Sequence, residues 1–268
     1  MAISNIHTAL LLSLMAGIAT GIGSTIAFFA RRTNERFFSF ALGLSAGVMV
    51  YISFMELFFN ARIRLVELSG SSGNWIAVTA FFAGIVAAGL IDRFIPDAEN
   101  PHEIHDVEEM RSRQSAPTDS MRRTGIITAI AIAIHNFPEG IATFISAIDS
   151  LRIGTAVAIA VAIHNIPEGI AVSVPIYLST GNRKKAFWYS FASGLSEPLG
   201  AVFAGLLLMP ILNPVVMECT FAAVAGIMIY ISFDELLPAA HRYGHNHTAI
   251  YGMVLGMAVM AVSLLLLE

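Results

Sequence analysis

Two near-identical hexapeptides place histidine, asparagine and glutamate at helical spacing. HNFPEG begins at His135 and HNIPEG at His164, and the enclosing stretches AIAIHNFPEGIA and AVAIHNIPEGIA agree at ten of twelve positions. Residues three and four apart lie on one face of a helix, so each glutamate can share a ligand with the histidine and the asparagine before it. Imidazole nitrogen and carboxylate oxygen suit zinc and other first-row divalent ions, whereas amide oxygen suits a harder ion with more ligands. The repeat therefore predicts two adjacent metal positions, with these candidate ligands: His135, Asn136, Glu139, His164, Asn165 and Glu168.

A third glutamate, Glu197 in the stretch SGLSEPLG, also lies in an apolar segment, and we assign it to the same site. No Lys or Arg accompanies Glu139, Glu168 and Glu197 in the interior of their apolar segments. Buried carboxylates without a neighbouring cation are costly, so the cluster must hold a metal ion or take up protons. One hexapeptide alone would fit hydrogen-bonded helix packing equally well. Two copies together with Glu197 favour a metal site.

The elements that position these residues are expected to be helices in a membrane. Hydrophobic residues make up 56% of the 268-residue chain and charged residues only 13%, which is too apolar for a soluble domain. A bilayer-spanning helix needs ~20 apolar residues. The sequence predicts an all-α polytopic membrane protein that forms one domain over residues 1–268. Its eight transmembrane segments are expected at about 6–30, 37–59, 75–95, 124–147, 153–179, 185–208, 215–238 and 249–267.

The positive charges indicate how these segments are oriented. Cytoplasmic connections of membrane proteins carry the surplus of Lys and Arg. The connections after the first, third, fifth and seventh segments hold twelve of the fifteen, and only Arg62, Arg64 and Arg152 fall on the other side. We therefore expect both termini on the extracytoplasmic side.

The longest connection, about residues 96–123, is rich in charge, Ser and Pro and contains the stretch PHEIHDVEE. We expect a solvated cytoplasmic loop, because its ligand-type residues have no regular helical spacing. It is not an HExxH site, because the spacing in HEIH is one residue short. A role of its histidines in gathering metal stays open. Cys219 is the single cysteine, which excludes an internal disulfide.

A second internal match relates two further segments. AGVMVYISFMELFFNA at 46–61 agrees with AGIMIYISFDELLPAA at 225–240 at ten of sixteen positions. In the expected topology these two segments run in opposite directions, as do the two segments with the hexapeptides. Inverted repeats with a site near the midplane are typical of secondary transporters. We predict a 3+2+3 arrangement, in which segments one to three and six to eight are related by a pseudo-twofold axis around segments four and five.

Further ionisable residues could lie along a path to the site. Glu56 is expected near the outer end of the second segment. Four more are expected near the inner ends of the third and seventh segments: Asp92, Asp234, Glu235 and His241. For Asp92 an interfacial pair with Arg93, and for His241 a solvated position, are the alternatives.

The paired hexapeptides and the stretch SGLSEPLGA resemble those of the ZIP family of divalent-metal transporters, and the likeness extends over all eight segments. The resemblance implies a binuclear centre. Its first position would use His135, Glu139, His164 and Glu168, and its second would use Asn136, Glu139, Asn165, Glu168 and Glu197. It also implies import of Zn²⁺ across a bacterial cytoplasmic (inner) membrane, with Fe²⁺, Mn²⁺, Co²⁺ and Cd²⁺ as further substrates.

The leading hypothesis is therefore a carrier that takes a hydrated divalent ion, strips its water against Glu and His ligands, and releases it into the cytoplasm. It needs no cofactor and no enzymatic step. Its expected partners are divalent metal ions and the lipid bilayer, with no nucleic acid. Two alternatives use the same ligands: an intramembrane metalloenzyme that activates water, and a metal sensor. Small residues such as Gly17 and Gly84 permit close helix contact, either within one chain or in a homodimer.

Overall fold

The protein is entirely helical in the part of the chain that the structure describes. The computed structural model describes residues 3–29, 35–93, 118–242 and 246–266. In chain order the helices are α1 (Ile3–Phe29), α2 (Glu35–Ile52), α3 (Phe59–Ser69), α4 (Ser72–Arg93), α5 (Thr118–Asp149), α6 (Leu151–Thr180), α7 (Arg183–Gly194), α8 (Ser196–Phe203), α9 (Pro214–Ile231), α10 (Leu237–Arg242) and α11 (Asn246–Leu266). Several consecutive helices are joined by π turns, at Ser53–Phe58, Ala204–Leu208 and Ser232–Leu236, and by a 3₁₀ turn at Met209–Ile211. The all-α prediction is confirmed.

Seven helical stretches of the described residues are long and apolar enough to cross a membrane: Asn5–Thr25, Ser39–Ser69, Ser72–Arg93, Leu151–Ile170, Arg183–Ile211, Pro214–Leu236 and His247–Leu266. The remaining predicted span lies in α5, whose 32 residues extend about 48 Å. Each of the eight predicted segments thus overlaps a helical stretch of the described residues.

Large apolar side chains cover the outer surface of the helical bundle. Trp75, Leu206 and Leu266 are 77%, 69% and 81% exposed. Apolar surface of this extent is unfavourable in water but matches hydrocarbon chains. The chain is a polytopic membrane protein.

Two predicted helix boundaries were wrong. The second segment was expected to end at residue 59, but the helix continues as α3 to Ser69 and ends where Gly70 adopts a left-handed φ of 62°. Arg62, Arg64 and Glu67 lower the hydropathy there without interrupting the helix. Similarly, α5 begins at Thr118, within the connection predicted as a loop over 96–123. The rest of that loop, including PHEIHDVEE, lies outside the described residues.

The repeated sixteen-residue stretch folds in the same way in both copies. α2 passes into the π turn Ser53–Phe58, and α9 passes into the π turn Ser232–Leu236, at equivalent positions of the repeat. A π turn inserts one residue into the helical repeat and so changes the face presented after it. Glu56 and Glu235 are equivalent, and each lies within its π turn. The π turn therefore changes the direction in which the glutamate of each copy points.

Helices pack in matched pairs. α2 packs on α11 as α9 packs on α4, α1 packs on α6 as α8 packs on α5, and α5 and α6 pack on each other. Glycines permit the closest approaches: a Cβ at Gly47 would lie 2.0 Å from the Met253 carbonyl oxygen, and one at the equivalent Gly226 would lie 2.0 Å from that of Phe81. Without a hydrophobic force between helices in lipid, such small residues allow the contact that holds them together.

Gly17 and Gly84 also make their close contacts within the chain. A Cβ at Gly17 would lie 2.5 Å from the Gly194 carbonyl oxygen, and one at Gly84 would lie 1.9 Å from that of Ala223. These two glycines are therefore used for internal packing rather than left for a second copy.

Candidate metal site

Four of the predicted ligands converge between α5 and α6. The Nε2 atoms of His135 and His164 are 3.2 Å apart. Glu168 Oε1 lies 3.3 Å from the first of these nitrogens and 2.9 Å from the second. Glu139 Oε1 lies 3.4 Å and 3.5 Å from the same two nitrogens. All four side chains are buried, so the chain places two imidazoles and two carboxylates together away from bulk solvent.

The spacing fits a four-coordinate divalent ion. Zinc bonds to nitrogen and oxygen of about 2.0–2.1 Å put two ligand atoms of a tetrahedral site about 3.3 Å apart. The triangle of His135 Nε2, His164 Nε2 and Glu168 Oε1 has sides of 3.2, 3.3 and 2.9 Å, which matches one face of such a tetrahedron. These three residues form a group able to hold a metal ion, and Glu139 lies against the same two histidines.

The two asparagines and Glu197 lie beside this group. Asn165 Nδ2 donates to Glu197 Oε2 at 2.8 Å and to the carbonyl of Ala16 at 2.9 Å. One terminal atom of the Asn136 amide lies 3.1 Å from Glu168 Oε2. The same atom lies 3.2 Å from the Ile132 carbonyl oxygen, so it is the amide nitrogen and donates to both acceptors. Asn136, Asn165 and Glu197 are each 0% exposed.

Several buried atoms of the cluster have no hydrogen-bond partner among the described residues. They are both carboxylate oxygens of Glu139, Oε1 of Glu197, Oδ1 of Asn165 and Nδ1 of both histidines. Leaving a buried polar atom unsatisfied costs about 1–3 kcal/mol, and more if it is charged. A cation bound at the cluster would satisfy these oxygens together.

One of the predicted path residues reaches the cluster. Glu235 Oε2 lies 3.9 Å from His135 Nδ1. A cavity lined by Asp92, Tyr230 and Glu235 extends to His135 and Pro138, and the Tyr230 hydroxyl donates to Asp92 Oδ2 at 3.5 Å. Asp92 and Glu235 therefore line the same small cavity as His135.

Two other path residues are not part of this group. Asp234 is exposed although it adjoins Glu235. His241 Nδ1 lies 2.8 Å from the carbonyl of Leu237, one turn earlier in its own helix. Neither side chain is brought to the buried histidines.

Glu56 lies in a different cavity, beside a charged cluster that the sequence analysis did not identify. The cavity is lined by Glu56, Asn60, Arg64, Asp149 and Glu218, together with apolar side chains. Arg64 Nη1 donates to Asp149 Oδ2 at 2.8 Å and to Glu218 Oε1 at 3.2 Å. This ion-pair cluster joins α3, α5 and α9.

The one sequence signal for this cluster was Glu218, a carboxylate within the apolar stretch VVMECTF. An ionisable residue inside a span marks a functional or paired position. Its partner Arg64 is 154 residues away in the chain, so the pairing depends on tertiary structure.

The fold and the site define a polytopic membrane protein with a buried cluster of histidines and carboxylates between two inner helices. Comparison with known proteins agrees: a profile described as ZIP Zinc transporter matches residues 95–264. The zinc transporter ZupT of Oceanobacillus iheyensis is 59% identical over 265 residues, covering 98% of this chain and 99% of the relative. The zinc transporters ZupT of Streptococcus mutans and Clostridium perfringens are 57% and 54% identical, each covering 98% of this chain and 98% and 97% of the relatives.

The chain belongs to the ZIP zinc transporter family. The predicted resemblance is thereby confirmed, as is the prediction of a membrane transporter rather than an enzyme.

Proposed function

We propose that the protein imports zinc into the cytoplasm through a binuclear site between α5 and α6. The observation that carries the proposal is the buried triangle of His135 Nε2, His164 Nε2 and Glu168 Oε1, with sides close to those of a zinc coordination tetrahedron. Glu139 supplies the fourth ligand of this first position. Because nitrogen and oxygen ligands also accept other first-row ions, Fe²⁺, Mn²⁺ and Co²⁺ are proposed as further substrates, together with Cd²⁺.

The second position is proposed beside the first, with the ligands Asn136, Glu139, Asn165, Glu168 and Glu197. Glu139 and Glu168 each have two carboxylate oxygens, so each can bridge both ions. The ionised glutamates carry a charge of about −3, which one divalent ion reduces to −1 and two ions change to +1. Either occupancy leaves the buried site close to neutral, as burial in a membrane requires.

Transport is proposed to use a 3+2+3 arrangement with a pseudo-twofold axis. The matched helix pairs and the equivalent π turns support this relation. Gly17 and Gly194 each lie four residues after a serine and six before a glycine, and we treat them as equivalent. Their contacts add to the relation, because a Cβ at Gly17 would meet the Gly194 carbonyl at 2.5 Å and a Cβ at Gly194 would meet the Gly17 carbonyl at 2.4 Å. A residue that contacts its own counterpart lies on the axis. His135 and His164 face each other in the same way.

The cavity that reaches His135 is proposed as the release route to the cytoplasm. Asp92 and Glu235 supply carboxylates along it, and the distribution of positive charges in the sequence supports a cytoplasmic position for this end. At the other end, near Glu56, the Arg64 cluster holds three helices together. Both termini are then extracytoplasmic, and the membrane is the bacterial inner membrane.

Zinc uptake into proteoliposomes tests this function. We expect saturable Zn²⁺ flux that the Glu139→Gln and Glu168→Gln variants lose, because each removes a shared carboxylate. Glu67→Gln is the matched control, since Glu67 is exposed on α3. Parallel assays with Fe²⁺ and Mn²⁺ rank the substrates.

The alternatives give a different result in the same assay. A sensor or metalloenzyme would bind zinc without moving it across a sealed membrane. Flux that persists in both glutamine variants would place the transport site elsewhere.

A further inference from the structure

We propose that the hydroxyl of Thr20 in α1 is a further oxygen ligand of the second cation position, directly or through one water. It would approach this position from the side opposite Glu197. The inference rests on the proposed function, because it adds one donor to the binuclear site. Besides the two repeats described above, α1 matches the helix pair α7 and α8 in residue spacing and in contacts.

The two stretches share the spacing Ser-x3-Gly-x5-Gly. Ser13, Gly17 and Gly23 of α1 have the same spacing as Ser190, Gly194 and Gly200. In this alignment Thr20 takes the place of Glu197. Three shared positions are too few to establish a repeat from sequence, so the relation depends on the contacts.

The contacts of the two hexapeptide glycines also pair Thr20 with Glu197. A Cβ at Gly140 would lie 1.8 Å from the carbonyl oxygen of Glu197, and a Cβ at Gly169 would lie 1.9 Å from that of Thr20. Gly140 and Gly169 are equivalent in the two hexapeptides, so Thr20 and Glu197 take equivalent places against them.

A second pair of contacts repeats this relation three residues further on. A Cβ at Gly200 would lie 2.1 Å from the Phe137 carbonyl oxygen, and one at Gly23 would lie 1.9 Å from that of Ile166. Phe137 and Ile166 again occupy the same place in the two hexapeptides. Since equivalent residues approach a site on the axis from opposite sides, Thr20 should face the site that Glu197 faces.

The Thr20 side chain packs against Gly194, one helical turn before Glu197, where an added Cβ would lie 2.8 Å from Thr20 Oγ1, and its hydroxyl is left unpaired. It is 0% exposed, and its Oγ1 has no hydrogen-bond partner among the described residues. A helical threonine commonly donates to the carbonyl four residues earlier, which here belongs to Ala16. That carbonyl instead accepts from Asn165 Nδ2 at 2.9 Å. Residues four apart share a helix face, so Thr20 lies on the face of α1 that contacts a ligand of the second position.

The chemistry of a hydroxyl fits this place. The proposed second position has two asparagines and three glutamates, an oxygen set that suits a harder and more highly coordinated ion. A sixth oxygen from Thr20, directly or through one water, completes an octahedral set. Because the hydroxyl is neutral, it adds a donor without adding a fourth negative charge to the buried site.

Equilibrium zinc binding to the purified protein tests the proposal. The wild-type protein should bind two ions. Thr20→Val keeps the shape of the side chain and removes the hydroxyl, and it should weaken the second ion at least about tenfold, as loss of a supporting ligand does, while the first ion binds as before. Thr20→Ser should restore wild-type binding. Ser13→Ala is the matched control, because Ser13 Oγ is also buried on α1 without a partner.

A Thr20→Val protein that binds both ions like Ser13→Ala would overturn the inference and leave the proposed function intact. A wild-type protein that binds fewer than two ions would instead reject the binuclear site itself.

Moving the carboxylate provides a second test. Glu197→Thr should lose the second ion, and the double variant Thr20→Glu with Glu197→Thr should regain at least about tenfold of that affinity. The double variant Thr20→Gln with Glu197→Thr is the control, because glutamine has the size of glutamate without its charge. It should not regain affinity for the second ion. A folded Thr20→Glu/Glu197→Thr protein that binds the first ion but not the second would contradict the proposed equivalence.

Discussion

Glu139 shows at the scale of single residues why the site calls for a cation. Its side chain is 1% exposed, and neither of its carboxylate oxygens has a hydrogen-bond partner in the described part of the chain. A carboxylate buried in this way is unfavourable unless a positive charge approaches it. Its Oε1 lies 3.4 Å from His135 Nε2 and 3.5 Å from His164 Nε2, so two nitrogens that can bind a metal lie beside it. A cation bound among these groups would supply the partner that the Glu139 carboxylate oxygens lack among the described residues.

Glu235 is expected to affect the rate of transport more than the affinity for zinc. It lies 3.9 Å from His135 Nδ1 and lines the cavity beside it, so in the proposed mechanism we expect it to contact an ion in passage rather than in the first position. Glu235→Gln should lower the maximal zinc flux about tenfold, an effect of about 1.4 kcal/mol, and leave equilibrium binding within about threefold. Glu67→Gln is the control, because Glu67 is exposed on α3 and does not line this cavity. A parallel loss of affinity would show instead that Glu235 is a ligand of the bound ion.

At the scale of helices, the hexapeptide glycine sets the distance between α5 and α8. A Cβ at Gly140 would lie 1.8 Å from the Glu197 carbonyl oxygen, so one of the two backbones must shift. Gly140→Ala should destabilise the protein by about 1–3 kcal/mol and weaken zinc binding, because the shift moves Glu197. The measurements are the Tm of the detergent-solubilised protein and its zinc affinity.

Gly205→Ala provides the comparison for this helix contact. A Cβ there would lie 3.2 Å from the ring of Phe144, and a ring can move where a backbone cannot. Equal Tm and equal zinc binding for the two alanine variants would show that close approach of α5 and α8 is not required.

The Arg64 cluster joins α3, α5 and α9. Arg64 bridges Asp149 at the end of α5 and Glu218 near the start of α9, and Glu218 is only 2% exposed. Arg64→Ala should leave Glu218 buried without its partner and reduce stability by about 2 kcal/mol, somewhat below the cost of breaking a fully buried pair, because Arg64 is 40% exposed.

Arg62→Ala is the matched control for thermal unfolding, since Arg62 is exposed and donates to Asn74. Adding Glu218→Gln to Arg64→Ala should recover part of the lost stability by removing the unpaired charge. If Arg64→Ala and Arg62→Ala unfold at the same temperature, the ion pairs do not stabilise this end of the protein.

At the scale of the whole molecule, the proposed orientation predicts which connections face the cytoplasm. Ser71 and Lys184 are exposed. Ser71 lies in the connection between α3 and α4, and Lys184 lies next to the connection between α6 and α7. In the proposed topology these two connections are on opposite sides of the membrane. In a Cys219→Ser background, a cysteine at Lys184→Cys should react with an impermeant maleimide only from the cytoplasmic side. One at Ser71→Cys should react only from outside. The reverse pattern would contradict the orientation that the positive charges indicate.

Some of the fold and site could be predicted because they depend on local spacing. Residues four apart in a helix share a face whatever the tertiary structure, so His135 with Glu139 and His164 with Glu168 could be assigned in advance. The apolar segments identified the helices for a similar reason. The end of the second segment was wrong because hydropathy falls at Arg62 and Arg64 although the backbone stays helical until Gly70.

The sequence by itself determined that the protein is helical, that it lies in a membrane, and that the histidine and glutamate of each hexapeptide share a helix face, because bilayer thickness and helical periodicity act on short stretches of chain. Only the tertiary structure decided that the two histidines lie 3.2 Å apart, that Arg64 joins Glu218, and that Thr20 takes the place equivalent to Glu197. These relations join residues from 29 to 177 positions apart. They depend on which helices approach closely, and that is set by where glycine lets one backbone contact another.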